Sequence, residues 1–444
     1  MFLCYMMQFL DKVIINYAAV MGIKDDLHLV GNDLSNLATF VFVALLIFEV
    51  PNIYALQMVP AAKWLGLNVT LWGIATASGA AAHNYQTLLV SRIFLGIFEA
   101  TIGPSLLLIS SQWYTKSEQA PRFSFWYLGL GLGQIVGGLV SFGFQHVPKD
   151  ASLAGWRVMF VVLGCVTVAI GLATFFSLPD TPMKARWLSD AEKVALLRHV
   201  SVNQTGIENH KFRFGEIVEA VCDPQIWLLT VSVILLSVSS GVVVTYSSTL
   251  IRNLGYDAPH AALMNTPSGA VSIFFTLLVG YGIRTRSHRW VWVVACLLTG
   301  TIGGGLMSFL PTSNKSGVLA GIYLVNGVTA TLPIFYQWTA SNTSGGTKRA
   351  FAAAVVSGSF SIGNIIGPQT FQARDAPDYR PAKIAVMATQ AACIVTTGAL
   401  FLYYVWENKR RGGAAAELSE GEYLEKETWL AMTDKENKRF RYVY

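Results

Sequence analysis

Charged residues are scarce in this sequence: Asp, Glu, Lys and Arg make up only 13% of its 444 residues. A soluble globular protein carries about 25%. This shortage excludes a disordered chain and an ordinary cytosolic enzyme. Hydrophobic residues make up 53% of the chain, and Gly and aromatic residues are frequent. Such a composition is typical of a protein that resides in a lipid bilayer.

The sequence also lacks the clusters that mark metal sites, disulfide frameworks and hydrolytic enzymes. Its five cysteines form no C-x-x-C or Cys/His group, so we expect no metal and no disulfide framework. It has no HExxH helix and no nucleophile elbow, and we predict neither a catalytic residue nor a cofactor. The net charge of +6 does not indicate a nucleic-acid partner, because the basic residues lie between apolar runs and not along one face.

Long apolar runs are what the sequence does have. Runs of about 20 apolar residues are long enough to cross about 30 Å of hydrocarbon as a helix. An open sheet edge would find no hydrogen-bond partner in a bilayer, so each run is predicted to be helical. The sequence therefore predicts an all-α membrane protein with twelve transmembrane helices in two six-helix bundles. The predicted spans are 2–21, 36–57, 67–83, 87–111, 123–145, 158–178, 226–249, 261–283, 290–310, 318–340, 350–372 and 382–405.

The distribution of Lys and Arg predicts the orientation of the chain. Fourteen of them fall in the even-numbered connections and eight in the odd-numbered ones. Because cytoplasmic loops are enriched in basic residues, both termini are predicted to be cytoplasmic. The predicted parts are an N-terminal bundle (1–178), a cytoplasmic linker (179–225), a C-terminal bundle (226–406) and a mobile cytoplasmic tail (407–444).

The start of the chain carries two further expectations. The first apolar run has the length of a span and no basic flank, so a cleavable signal peptide is not expected. A chain of this kind normally has a polar segment before its first span. Here the apolar run begins at Met1, so we expect that the N-terminus is shortened.

Five charged residues fall well inside the predicted spans, all in the first half: Asp11, Lys12, Glu49, Arg92 and Glu99. A charge at mid-membrane costs at least about 2.5–3.5 kcal/mol, so its default interpretation is functional, and the alternative is a pair that only locks helices together. Arg92 and Glu99 are seven residues apart and share a helix face. Arg92 can hold a carboxylate, whereas Glu99 can carry a proton.

The remaining candidates are less specific. Asp11 and Lys12 diverge by about 100° around the helix, so one of them can face a central cavity while the other packs on a neighbouring helix. Asp11 is a second candidate proton carrier and Lys12 a second anion contact. Glu49, near the end of its span, is either a gate contact or a coupling residue. The second half offers only amides such as Gln337 and Asn364, which either hold a substrate or bond across a helix interface.

Several motifs resemble one family in their order and spacing. The segments are 8–19, 92–100, 178–182, 185–188, 338–349 and 363–369. Together with the six-plus-six pattern, they resemble the major facilitator superfamily, within it the anion:cation symporter family, and most of all the fungal allantoate permease group. The resemblance implies proton-coupled symport of a small organic anion, such as allantoate, a vitamin-like acid or a short peptide, through a monomer in the plasma membrane rather than the vacuole.

The resemblance also implies roles for single residues. Asp11 and Glu99 match positions associated with protonation, and Arg92 matches one associated with the substrate anion. Lys12, Gln134 and Asn364 match further positions of the family's pattern. The glycines of the fifth span resemble those of drug/proton antiporters, but Gln134 stands where those proteins have Pro. An exporter of a secondary metabolite or drug on the same fold therefore stays open as the alternative.

Overall fold

The computed structural model describes residues 1–114, 125–148, 153–201, 213–285, 288–416, 432–437 and 440–444. Within these ranges all the regular secondary structure is helical and there is no strand. Its longer helices are α1 (Phe2–Val20), α2 (Asp33–Met58), α3 (Ala61–Ser78), α4 (Tyr85–Glu99), α5 (Ile102–Trp113), α6 (Gly129–Phe144), α7 (Gly155–Ser177), α8 (Asp190–Ser201), α9 (Phe214–Cys222), α10 (Pro224–Asn253), α11 (Thr266–Thr285), α12 (Arg289–Phe309), α13 (Lys315–Val325), α14 (Leu332–Asn342), α15 (Gly346–Gln369) and α16 (Arg380–Ala416). Short helices are Ile23–Asp26 and Ala258–Leu263, with 3-10 turns at Gly79–Ala81, Pro182–Lys184, Asn326–Thr331 and Ala373–Asp375.

Ten helical stretches of the described residues are long and apolar enough to cross a membrane. They correspond to ten of the twelve predicted spans. The first and third predicted spans are helical as well, at α1 and α3, but they are not among these ten. The start of the predicted span 123–145 lies outside the described residues.

Some predicted spans differ from the structure in continuity or length. The predicted span 87–111 is interrupted between α4 and α5, because Pro104 has no N–H to donate to the carbonyl of Ala100. The predicted span 318–340 is divided into α13, a 3-10 turn and α14. The last helix was predicted to end at residue 405, but α16 continues to Ala416.

Glycines bring helices within each half into close contact. A Cβ added to Gly73 of α3 would lie 2.7 Å from the backbone nitrogen of Val168 on α7. In the second half, a Cβ on Gly367 of α15 would lie 2.5 Å from the carbonyl oxygen of Val238 on α10. Small residues permit this close backbone approach between helices in a membrane. We call the helices before residue 179 the first half and those from residue 224 onward the second half.

The two halves are held together at one end by uncharged side chains, which we call the latch. Asn16 of α1 donates to Ser247 of α10 at 2.8 Å. Gln369 of α15 donates to Asn36 and Thr39 of α2 at 3.1 and 2.9 Å. Further latch bonds join Ser35 to Tyr246 (2.5 Å), Asn32 to Gln372 (2.7 Å) and Asn265 to Tyr17 (3.4 Å). The latch therefore closes the end of the molecule at which α1 and α10 end and α2 begins.

The opposite end carries residues of the predicted tail, and there the expectation of mobility is wrong for the described part. Residues 432–437 and 440–444 pack against the second half. The Asn342 side chain, for example, donates to the Val443 carbonyl at 2.9 Å and accepts from the Val443 N–H at 2.8 Å. The polar composition of the tail predicts solvation, whereas polar groups of its described part have partners in the fold. Residues 417–431 and 438–439 lie outside the described residues.

Candidate functional site

Four of the five predicted intramembrane charges come together in the first half. Glu99, at the end of α4, is fully buried, and its Oε1 lies 2.7 Å from Nζ of Lys12 on α1. The predicted divergence of Asp11 and Lys12 is observed, because Asp11 points away from this pair toward α3. The cluster therefore consists of an ion pair on one side of α1 and a carboxylate on the other.

Asp11 and Arg92 form the second part of the cluster. Nε1 of Trp72 donates to Oδ2 of Asp11 at 2.5 Å, and Nη1 of Arg92 donates to the backbone carbonyl of Asp11 at 3.0 Å. The Arg92 guanidinium also lies 5.3 Å from the ring centre of Phe160 on α7. Arg92 is thus fixed by one backbone bond and one aromatic face, and it keeps further donors free.

Several charged atoms of this cluster are buried without a hydrogen-bond partner among the described residues. They are Oδ1 of Asp11, Nε and Nη2 of Arg92, and Oε2 of Glu99. Leaving a buried polar atom unpaired costs about 1–3 kcal/mol, and more when the group is charged. Native structures satisfy nearly all such atoms, so each of these needs an explanation. A bound anion, a proton or water at this place would supply one.

A small cavity lies beside the cluster, between the two halves. Lys12, Arg92 and Phe42 line it from the first half, and Val244 and Thr245 of α10 line it from the second. Nζ of Lys12 is 5.7 Å from the ring centres of Phe42 and of Phe360, which lies on α15. Both charged side chains that line the cavity are cations, and no carboxylate occurs among its described lining residues. The volume of this cavity is about 10 Å³, room for about one water molecule, so a small anion with an apolar body would fit here only after the two halves move apart.

The other predicted site residues lie elsewhere. Glu49 of α2 accepts a hydrogen bond from Ser357 of α15, across the two halves. Nε2 of Gln134 donates to Asn265 at 3.4 Å, also across the halves. Asn364 is fully buried and donates to the Phe360 carbonyl in its own helix at 2.8 Å. Gln337 is half-buried on α14. None of these four side chains lines the cavity beside Lys12 and Arg92.

Sequence reasoning missed the neighbours that hold the charges. Trp72 on α3, which binds Asp11, and the phenylalanines beside Lys12 were not singled out. Trp72 had a detectable signal, because Asn68, Trp72 and Thr76 repeat at intervals of four on an otherwise apolar helix and so share a face. Phe42 and Phe360 had no such signal, since aromatic residues are common in membrane helices.

Comparison with known proteins adds four findings. The sequence model described as Major Facilitator Superfamily matches residues 1–368. The thiamine pathway transporter THI73 of Saccharomyces cerevisiae is 38% identical over 446 residues, covering 100% of this chain and 84% of that protein. Allantoate permease of the same yeast is 30% identical, again over 100% of this chain and 84% of that protein. The xylose transporter XylE from E. coli, in an inward open conformation, has a TM-score of 0.67 at 16% identity, over 88% of this chain and 93% of that chain, and so shares the fold.

Proposed function

Since this chain belongs to the major facilitator superfamily, we propose that it couples the movement of a small organic anion to that of protons. The protein is a multi-pass membrane protein and a transporter, not an enzyme, and its fungal relatives include a thiamine pathway transporter and an allantoate permease. The observation that carries the proposal is the cavity lined by the cations of Lys12 and Arg92. Two buried N–H groups of Arg92 have no hydrogen-bond partner among the described residues.

Anion binding rests on Arg92. A guanidinium presents parallel N–H donors that match the two oxygens of a carboxylate. Nε and Nη2 of Arg92 have no partner among the described residues, while Nη1 is held by the Asp11 carbonyl. The held donor fixes the orientation of the group, and the free ones remain for the substrate. The apolar lining from Phe42 and Val244 suits the rest of a small carboxylate.

Proton coupling rests on the pair of Lys12 and Glu99. While Glu99 is ionised, the Lys12 ammonium is bound to it at 2.7 Å and is neutralised. A proton on Glu99 removes that partner, so Lys12 becomes free to join Arg92 in binding a carboxylate. Proton and anion then enter together, and the total charge of the cluster stays unchanged. Asp11 and Glu49 are proposed as further proton carriers, and Gln134, Asn364 and Gln337 as substrate contacts in other states of the cycle.

Transport follows by alternating access. We propose twelve transmembrane helices, including α1 and α3, with both termini cytoplasmic, so that the latch faces the outside. Opening the latch would expose the cavity to the external solution, and binding of anion and proton would allow it to close again. Charge neutralisation favours closure because uncompensated charges are costly in a low dielectric. The protein is proposed to act as a monomer in the plasma membrane.

The proposed substrate class is tested by uptake. Cells that express the chain are offered radiolabelled allantoate, a vitamin-like acid, a dipeptide and uncharged analogues at acid and neutral external pH. Carboxylate uptake should be greater at acid pH. Arg92→Ala should lower the uptake of carboxylates at least about tenfold, because a hydrogen bond to a charged group contributes about 1.5–3 kcal/mol, and it should spare uncharged analogues.

The control variant is Arg157→Ala. Arg157 also donates to a backbone carbonyl in the first half, that of Ala80, but it does not line the cavity. Equal loss in both variants, or equal loss for charged and uncharged compounds, would contradict the role of Arg92. The direction of transport is tested in everted vesicles. Proton-driven loading of substrate into everted vesicles, with none into right-side-out vesicles, would favour the exporter.

A further inference from the structure

A fully buried lysine lies far from the cavity, at the beginning of α15. Nζ of Lys348 is 2.8 Å from Glu219 on α9, 2.8 Å from Asp223 before α10, and 2.7 Å from Asp434 near the chain's end. Each of its three N–H groups thus has a carboxylate. Burial alone would raise the pKa of the Asp223 carboxyl. The nearby cations Lys348 and Lys435 lower it by more than burial raises it, so the resulting pKa lies below the ordinary value. Asp223 is therefore charged at neutral pH.

The third carboxylate belongs to residues 432–437, which together with residues 440–444 we call the strap. Arg411 of α16 holds the strap through its backbone, donating to the carbonyls of Asp434 at 2.8 Å and Phe440 at 3.2 Å. Its Nη2 donates to the Tyr442 hydroxyl at 2.9 Å. That hydroxyl in turn donates to Oδ2 of Asp434 at 2.7 Å. Lys348 and Arg411 therefore bind the two oxygens of Asp434, one directly and the other through Tyr442.

Two asparagine side chains bind the end of the strap by its backbone. Asn342 of α14 pairs with both backbone groups of Val443 at 2.9 and 2.8 Å, and Asn408 of α16 pairs with both backbone groups of Tyr442 at 2.9 Å each. Tyr442 also stacks on Tyr404 with ring centres 5.3 Å apart. Paired amides recognise an extended backbone, and the stacked ring fixes its register. The strap therefore occupies a complementary site, which distinguishes it from a chain end that merely lies on the surface.

The contacts of the strap join elements that are distant in sequence. They connect α9, the start of α10, α14, α15 and α16, all in the second half. Further along α15, Phe360 faces Lys12 and Ser357 binds Glu49. The strap thus fixes the base of the helix that presents the second half to the candidate site.

We propose that residues 432–437 and 440–444 are a docked strap that holds the ends of α9, α10, α14, α15 and α16 as one rigid unit, with Lys348 as its anchor. The segment acts as a built-in ligand of the second half. In any rearrangement of the two halves, the strap and α9 move with the second half. This inference does not depend on the substrate or on proton coupling, and it is tested without measuring transport.

The test uses the full chain with a protease recognition sequence inserted between residues 420 and 428. After cleavage in detergent, the fragment that carries the strap should co-elute with the rest of the chain on gel filtration, although no covalent bond joins them. Asp434→Asn should release the fragment at least about tenfold faster, because Lys348 loses a charged partner. The control is Asp190→Asn, whose side chain is 98% exposed and which should retain the fragment as the unchanged chain does.

Hydrogen–deuterium exchange tests whether the strap holds the helix ends. Displacement of the cleaved fragment should raise exchange in residues 214–223 and 342–350, and leave α3 and α7 unchanged. If Asp434→Asn does not fold, Asn408→Ala, which removes only two neutral hydrogen bonds, replaces it. The proposal would be overturned if the unchanged chain released the fragment as fast as the variant does. It would also be overturned if displacement of the fragment left hydrogen–deuterium exchange unchanged in these residues.

Discussion

Two buried charge clusters in this molecule both pair a lysine with a carboxylate, yet they differ in what is left unpaired. In the cavity cluster, Lys12 meets Glu99 at 2.7 Å, but charged atoms of Asp11, Arg92 and Glu99 have no partner among the described residues. In the strap cluster, Lys348 has three carboxylates within 2.8 Å. The cavity cluster therefore has charged atoms that can still bind a ligand, whereas all the N–H groups of Lys348 in the strap cluster already have carboxylate partners.

The difference indicates different roles. A buried ion pair is weak evidence for stability, because desolvation offsets much of the attraction. When a buried cation has a carboxylate for each of its N–H groups, as Lys348 has, it has no donor left for a ligand and can only fix the fold. When donors and acceptors have no protein partner, as around Arg92, they are available to a ligand, a proton or water. Three substitutions sharpen this contrast.

The largest expected effect on stability is at the strap cluster. Lys348→Met leaves three carboxylates close together without their cation, and breaking a buried ion pair costs about 3–5 kcal/mol. We expect a large loss of folded protein and of thermal stability in detergent. Lys193→Met is the control, because its ion pair with the exposed Asp190 contributes only about 0–1 kcal/mol. Equal stability of the two variants would contradict the structural role of Lys348.

A smaller loss is expected at the cavity cluster. Trp72→Phe keeps the ring but removes the 2.5 Å hydrogen bond to Asp11, and a bond to a charged group contributes about 1.5–3 kcal/mol. The matched control is Trp64→Phe, which removes a bond of 3.2 Å to the neutral side chain of Asn52. Thermal melting should show the greater loss in Trp72→Phe. A loss no greater than that of the control would mean that Asp11 is not held as a carboxylate.

The smallest effect is expected at the latch, where no charge is involved. Gln369→Ala removes two bonds between the halves, to Asn36 and Thr39, and should favour the open latch by about 1 kcal/mol, or roughly fivefold. The measurement is the labelling rate of a cysteine at the cavity position Ala38 by an impermeant thiol reagent, with Cys165 and Cys222 replaced by serine. Gln145→Ala, whose bond to Ser141 stays within α6, should leave the rate unchanged. An unchanged rate in Gln369→Ala would show that the latch does not limit access.

The fold was largely predictable because bilayer solvation makes long apolar runs conspicuous. The charged residues of the site were predictable for the same reason, since Arg92 and Glu99 stand out on an apolar helix. Their partners were not, because Trp72 lies 61 residues from Asp11 in sequence and only the tertiary fold brings them together. The ion pair of Lys12 with Glu99 was not predicted either, because the relative rotation of α1 and α4 is set by packing.

The strap shows the limit of compositional reasoning. Residues 407–444 have the mixed charge and polarity of a solvated tail, and composition alone cannot reveal whether polar groups find partners. Lys348 lies in a segment that resembled the family, but nothing local to it indicated Asp434, which follows 86 residues later along the chain. Only the structure shows that a lysine, two asparagines and an arginine together form a site for the chain's own end.

The measurement that tests the central claim most directly is substrate accumulation by Glu99→Gln in proteoliposomes. With a carboxylate identified by the uptake screen, the unchanged protein should concentrate label against its gradient when an inward proton gradient is imposed. Glu99→Gln should lose this accumulation, since it has no proton to carry, yet it should still exchange labelled for unlabelled substrate, since Lys12 and Arg92 remain to bind it. Full gradient-driven accumulation by Glu99→Gln would contradict the assignment of proton coupling to this cluster.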